Sequence, residues 1–103
     1  MRGPAPSAVI ERALLASAAQ RRLAVAIEPL GSAAWYSATF AGERYAMALT
    51  TLASDAARDW LACVPDMDVT LPGCMLAGLS VTEASEQDGQ CHAQIEAITV
   101  ERA

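Results

Sequence analysis

Cys91 and His92 are the residues whose types most suggest catalysis, because an imidazole beside a thiol can act as the base that activates a nucleophile. They are neighbours in a stretch that alternates like a β-strand, and successive strand side chains point to opposite faces of a sheet. Neither side chain can therefore reach the other. His92 could meet Cys63 or Cys74 only through the fold, and the sequence places no third residue to orient it. The spacing favours a protein that is not an enzyme.

The same four residues match the ligand number of a structural zinc site, which is built from cysteine and histidine. Zinc ligands usually come in close pairs about two to four residues apart. The separations here are 11, 17 and 1. Three cysteines, an odd number, also make no disulfide framework in a chain of this size. We therefore expect no metal, no cofactor and no disulfide, and a reducing cytoplasm as the location.

Asp66 and Asp68 form an Asp-x-Asp pair, an arrangement that can hold a divalent cation beside a diphosphate. A nucleotide site would also need a phosphate-binding glycine loop and a basic partner. Neither stands near the pair. We interpret these residues as part of a solvated turn.

The stretch from Trp35 to Leu52 has the pattern strand, two-residue turn, strand, so it predicts a β-hairpin. If Ala41 and Gly42 form the turn, Phe40 lies opposite Glu43. That register gathers the large apolar side chains on one face, which is predicted to meet the helices. The inward residues are then Tyr36, Ala38, Phe40, Tyr45, Met47 and Leu49.

The opposite face of this hairpin carries small or hydroxylated residues around one Trp and one Arg. Its candidate binding residues are Trp35, Ser37, Thr39, Arg44, Ala46 and Ala48. Trp and Arg are the types most enriched at binding hot spots, and a sheet face with so little charge needs a cover. A second interpretation stays open, in which Trp35 is buried under a loop or points to the other face because the register differs by one.

Two helices are predicted, each with a serine as its N-cap. Ser7 begins a helix over residues 8–20, and Ser54 begins a second helix that Pro65 ends. Cys63 is interpreted as a small apolar filler in the second helix. The buried faces are formed by Ile10, Ala13, Leu14, Ser17 and Ala18 in the first helix and by Ala57, Trp60, Leu61 and Val64 in the second.

The remaining segments predict strands and turns. A first strand over residues 23–28 ends at a turn made by Pro29 and Gly31, and residues 67–71 form a short edge strand or an extended connection. Asp88-Gly89 is a type I′ turn that closes a final hairpin. Its inward face is predicted to hold Met75, Ala77, Leu79, Val81, Ile98 and Val100, and its outward face Leu76, Gly78, Ser80, Thr82, Ile95, Ala97 and Thr99.

These elements predict one α+β domain over residues 1–103, with residues 1–6 as a flexible N-terminal tail. The predicted architecture is a single antiparallel sheet of five or six strands with two helices packed on one face, in the order α-β-β-β-α-(β)-β-β. Ala supplies 23 of the apolar residues, so the core must be thin, and a two-layer arrangement suits it.

The formal net charge of −5 argues against nucleic acid as a partner, because phosphate binding needs clustered Lys and Arg. The charge is uneven: residues 1–51 hold five Arg and three Glu (+2), whereas residues 52–103 hold two Arg and nine acids (−7). Such asymmetry can steer a self-complementary association. No stretch approaches the roughly 20 apolar residues of a membrane span, and Glu11 and Arg12 interrupt the apolar run that a signal peptide needs.

The sequence thus favours a small, non-enzymatic cytoplasmic interaction or accessory protein that self-associates, most simply as a homodimer, through its sheet face or edge. Another protein is the other partner considered. The alternative from a different class is a small-molecule binding domain or minor enzyme. Its pocket would lie between sheet and helices or at a dimer seam, with Arg44, His92 or Tyr45 as polar contacts.

Overall fold

The computed structural model describes residues 5–101, which form two helices and one five-stranded antiparallel sheet. The strands lie in the order β1-β2-β5-β4-β3, and both helices contribute to one core on the same face of the sheet. The predicted fold class is confirmed, with five strands. The elements in chain order are α1 (Pro6–Gln20), β1 (Val25–Tyr36), β2 (Ala41–Leu52), α2 (Asp55–Cys63), a 3₁₀ turn (Val64–Asp66), β3 (Thr70–Leu71), β4 (Cys74–Gln87) and β5 (Gln90–Glu101).

α1 begins at Pro6. The prediction that Ser7 is its N-cap is therefore wrong. Ala5 holds that position and makes no side-chain cap. Proline suits the first turn of a helix, because its missing N–H would have no partner there and its φ is already helical. The proposed tail over residues 1–6 lies outside the described residues except for Ala5 and Pro6. Three residues of the predicted buried face are fully buried, namely Ile10, Leu14 and Ala18.

α2 begins as predicted after Ser54, whose hydroxyl oxygen accepts a hydrogen bond from the Ala57 amide at 3.0 Å. The buried Trp60 donates its indole Nε1–H to the Ser17 hydroxyl of α1 at 3.0 Å, which joins the two helices. The helix ends at Cys63, where the chain tightens into the 3₁₀ turn. Cys63 is exposed, so its interpretation as an apolar filler is wrong.

β1 is one continuous edge strand, where the sequence predicted a strand over residues 23–28, a turn and a further strand. Its pairing with β2 shifts by one residue between Pro29 and Gly31, so Leu30 forms a bulge. Proline is tolerated here because β1 has a neighbour on one side only. The Pro and Gly that predicted a turn therefore mark an irregularity within a strand.

The loop between β1 and β2 covers residues 37–40, and the predicted turn at residues 41–42 is wrong. The Ser37 amide donates to the Phe40 carbonyl at 2.8 Å, and the Phe40 amide donates to the Ser37 hydroxyl at 3.0 Å. Because the loop closes here, the β1–β2 pairing next to it begins at Tyr36 and Ala41 and not at Phe40 and Glu43. Ala38 therefore lies in the loop and is exposed. Tyr36 and Phe40 are 79% and 59% exposed, against the prediction that both are buried.

The β4–β5 hairpin has the predicted turn, with Asp88 and Gly89 at φ values of 54° and 75°. β4 then contains two irregularities, at Ala77 and Thr82, where its register against β5 shifts. The bulge at Thr82 places Val81 opposite Ile95, whereas an unbroken ladder from the turn would place it opposite Glu96.

The faces of β5 are consequently the reverse of the prediction. Ile98 and Val100 point away from the helices, and Met75 of β4 does the same with 56% exposure. Ile95, Ala97 and Thr99 point inward and are buried, although they were expected on the other face.

The core lies between the helices and the face of the sheet on which they pack, called the inner face. Met47, Leu49, Leu14 and Trp60 are buried as predicted, and Leu79 is 7% exposed. Others on the predicted list pack against this core while partly exposed, namely Tyr45, Leu61 and Val81. Within residues 5–101, no helix combines the length and the apolar composition needed to cross a membrane.

Candidate functional site: the outer face of the sheet

The face of the sheet opposite the helices, called the outer face, is built from rows of paired residues that cross β1, β2, β5 and β4. Three rows of four lie at the end of the sheet near the 37–40 loop, and we call them the apolar half. In strand order they are Trp35, Gly42, Val100 and Met75; then Ala33, Arg44, Ile98 and Gly78; then Gly31, Ala46, Glu96 and Ser80.

The two rows that follow on the outer face are more polar, and we call them the polar half. They consist of Glu28, Ala48, Gln94 and Glu83, then Ala26, Thr50, His92 and Ser85. The sequence prediction of a charge-poor outer face therefore holds for only part of the sheet. The bulges in β1 and β4 decide which residues fall on each side, because each bulge exchanges the faces of all residues beyond it.

Trp35 lies on the outer face and its indole crosses Gly42, its partner on β2. The indole Nε1–H donates to the Thr99 carbonyl of β5 at 3.1 Å. A Cβ at position 42 would overlap that carbonyl oxygen and would lie 2.8 Å from the Trp35 nitrogen. Gly is therefore required where the ring spans three strands. Trp35 is half-buried, so part of this residue stays exposed on the outer face.

Arg44 and Glu96 are the charged residues of the apolar half. The Arg44 Nε lies 3.7 Å from the Glu96 Oε1, and their side chains are 56% and 31% exposed. Ile98 stands directly opposite Arg44 on β5, so Arg44 has an apolar residue as its neighbour in the same row. The two charges cancel, and the apolar half has no net charge.

The structure brings together only some of the candidate binding residues. Trp35, Arg44 and Ala46 lie within the apolar half, whereas Ala48 belongs to the polar half. Ser37 and Thr39 lie in the exposed loop beyond the end of the sheet. Three large members of the apolar half were missed, namely Met75, Ile98 and Val100. The alternation in β5 was visible in the sequence, but its direction depends on a bulge in β4 that has no local signal.

The polar contacts considered for a ligand pocket lie apart from one another. Arg44 and His92 are on the outer face three rows apart, and Tyr45 is on the inner face. Burial raises the pKa of the Tyr45 phenol, and the nearby Glu43 carboxylate raises it further. Tyr45 lines a small cavity of about 170 Å³ between the start of α1 and β1.

A second cavity, of about 340 Å³, lies between α2 and the β4–β5 hairpin and is lined by Leu61, Ala84 and Cys91 among others. At its mouth, Arg58 binds the Glu86 carboxylate through Nε and Nη2, both at 2.7 Å. Arg58 is already fully engaged, since its Nη1 also donates to Asp55 at 2.8 Å.

The cysteines and the histidine do not form a site. Cys91 pairs with Thr51 on the inner face and is buried, while His92 is exposed on the outer face. Among residues 5–101 there is no group of three or more His, Cys, Asp or Glu side chains that could hold a metal ion.

Fold and outer face together define a small α+β protein with one open antiparallel sheet. Comparison of the chain with models of known protein families and with curated protein sequences found no match.

Proposed function

We propose that this protein is a small, non-enzymatic cytoplasmic interaction protein that self-associates through the apolar half of its outer face. One observation carries the proposal: ten of these twelve positions are uncharged, and the remaining two are an Arg and a Glu that neutralise each other. The residues of a strand that point to a solvated sheet face are normally polar or charged. Trp35, Met75, Ile98 and Val100 supply the large apolar contacts that a partner would cover.

The face of the sheet supports association better than its edges do. β1 carries Pro29 and a bulge along its open edge. At the other edge, β3 covers only Cys74 and Met75, and the rest of β4 carries two bulges with Glu83 and Glu86. Prolines, bulges and charges are the features by which proteins block pairing of an edge strand with another chain. The apolar half of the outer face carries no comparable protection.

The size of the apolar half sets the expected strength of association. Four strands about 4.8 Å apart and three rows about 7 Å apart give an extent of about 400 Å². A standard interface covers about 800 Å² on each partner. We therefore expect a dimer in rapid exchange, with a dissociation constant in the micromolar range.

Sedimentation velocity from low to high micromolar concentration tests the proposal with a matched pair of variants. Ile98→Glu places a carboxylate within the apolar half, where Arg44 can neutralise it in the monomer but an interface would have to bury it. Gln94→Glu makes the same charge on the same strand and face, but in the polar half. We expect the unmodified protein and Gln94→Glu to dimerise and Ile98→Glu to stay monomeric. A monomeric unmodified protein, or equal association of the two variants, would contradict the proposal.

The alternative function, binding of a small molecule, is favoured by the 340 Å³ cavity between α2 and the β4–β5 hairpin. Its volume falls within the roughly 300–1,000 Å³ of small-molecule sites. Native mass spectrometry of the purified protein would detect a retained ligand. Ala84→Leu would fill part of the cavity, so loss of that ligand in this variant would support binding there. Its retention in Ala84→Leu would exclude this cavity as its site.

A further inference from the structure

We propose that Arg44 and Glu96 exchange partners between two copies of the chain and thereby fix the register of the dimer. This inference rests on the proposed self-association through the apolar half. The partner is a second copy of the chain, and these two side chains align it.

Within one chain, the Arg44–Glu96 contact is incomplete. Its distance of 3.7 Å exceeds the 2.7–3.2 Å of a hydrogen bond. The same molecule shows what a completed pair looks like, because Arg58 holds Glu86 through two hydrogen bonds of 2.7 Å. Arg44 and Glu96 thus retain hydrogen-bonding capacity that a partner can use.

The position of the two residues suits exchange around a twofold axis. Arg44 is on β2 and Glu96 is on β5, one row apart on neighbouring central strands. Consider two outer faces that meet, with a twofold axis between them and parallel to both. If this axis crosses the line from Arg44 to Glu96 at its midpoint and at a right angle, each Arg lies over the Glu of the other copy. Both contacts form at once, because a twofold interface is self-complementary.

Charge complementarity gives a reason for this arrangement over others. If the apolar half were covered with Arg44 and Glu96 unpaired across the interface, both charges would lose water, and only the 3.7 Å contact within each chain would offset that loss. Any rotation or slide of the partner would leave both side chains without an opposite charge across the interface. Exchange leaves both neutralised, so the pair selects one register while the apolar residues supply the contact area.

Charge reversal tests the exchange. Arg44→Glu leaves two carboxylates in the apolar half, and Glu96→Arg leaves two guanidinium groups. Each variant alone should dimerise at least tenfold more weakly than the unmodified protein. In an equimolar mixture, every Arg can again face a Glu across the interface, so the mixed dimer should recover the original affinity. A contact confined to one chain cannot be restored by mixing.

Native mass spectrometry of the mixture, with one variant isotopically labelled, counts mixed against matched dimers. Gln94→Glu mixed with Gln94→Arg is the control with opposite charges in the polar half, and it should show no preference for mixed dimers. The variant that carries both Arg44→Glu and Glu96→Arg in one chain should fold and dimerise by itself. That result would show that the fold tolerates the two substitutions. If the unmodified protein dimerises but the Arg44→Glu and Glu96→Arg mixture shows no preference, the exchange is wrong and the proposed function stands. If the unmodified protein is monomeric, both fail.

Discussion

Gly42 is the residue on which the arrangement of Trp35 depends, because the indole ring passes directly over it. Gly42→Ala would force a Cβ against the Thr99 carbonyl, and the sheet or the ring would have to move. We expect a loss of about 3 kcal/mol or more in the free energy of unfolding, measured by urea denaturation. Gly78→Ala is the control on the same face, since a Cβ there meets no atom within 4 Å. Equal destabilisation by the two variants would contradict the described path of the ring.

Leu49 tests the assignment of the inner face. It is 1% exposed in the core, so Leu49→Ala should lower the free energy of unfolding by about 2–5 kcal/mol. Leu52 is on the same strand but 71% exposed, and Leu52→Ala should change stability by less than about 0.5 kcal/mol. A similar denaturation midpoint for both variants would contradict the assignment of Leu49 to the inner face.

Individual residues were predictable from the sequence where the local pattern alone decides their environment. The alternation of Met47 and Leu49 in β2 and the spacing of Leu14 and Trp60 in the helices gave the correct buried positions. The prediction that Tyr36 is buried was wrong, because its burial depends on where the loop closes. The hydrogen bond between the Ser37 side chain and the Phe40 amide decides that position.

At the level of the helices, two serines that look equivalent in the sequence behave differently in the structure. The Ser54 hydroxyl accepts from the Ala57 amide, so Ser54→Ala should cost about 1 kcal/mol of stability. Ser7 lies inside α1 and does not cap it, so Ser7→Ala should leave the urea midpoint nearly unchanged. The reverse order of effects would show that α1 begins at the predicted residue.

The ion pair between Arg58 and Glu86 connects α2 to β4 and makes a pH-dependent contribution to stability. The hydrogen bond from Arg58 holds the pKa of the Glu86 carboxyl below its ordinary value. A carboxyl with a lowered pKa stabilises the fold fully above its unfolded pKa of about 4.3. It loses this effect as the pH falls through the folded pKa.

Glu86→Gln removes this contribution. The unmodified protein should therefore be more stable than Glu86→Gln at neutral pH, and the difference should disappear in acid below the ordinary range of glutamate. Thermal unfolding of both proteins at pH 7 and at pH 3 measures it. A difference that is equal at the two pH values would mean that the ion pair contributes nothing through its charge.

The order of elements was more predictable than their registers. Asp88-Gly89 gave the correct turn, because its two residues with positive φ suit a type I′ geometry. The bulge at Thr82 leaves no comparable mark in the sequence. It is favoured by packing, since it brings Val81 and Ile95 to the same face. The predicted face of β5 was reversed by this one residue.

At the scale of the whole molecule, the supply of large side chains fits one core layer. Both helices pack on the inner face, and the outer face is left with an apolar half that combines Trp35, Met75, Ile98 and Val100. The sequence predicted that one face would be left uncovered by the chain itself. It did not identify the residues of that face in β5, because the register depended on contacts between strands.

The most direct test is a dilution series followed by methyl NMR, which reports on each face of the sheet separately. We expect the methyl signals of Ile98, Val100 and Met75 to move with protein concentration along one binding curve. The methyl signals of Ile95 and Leu49, which lie in the core, should stay in place. Outer-face signals that do not depend on concentration up to the high micromolar range would contradict self-association through this face.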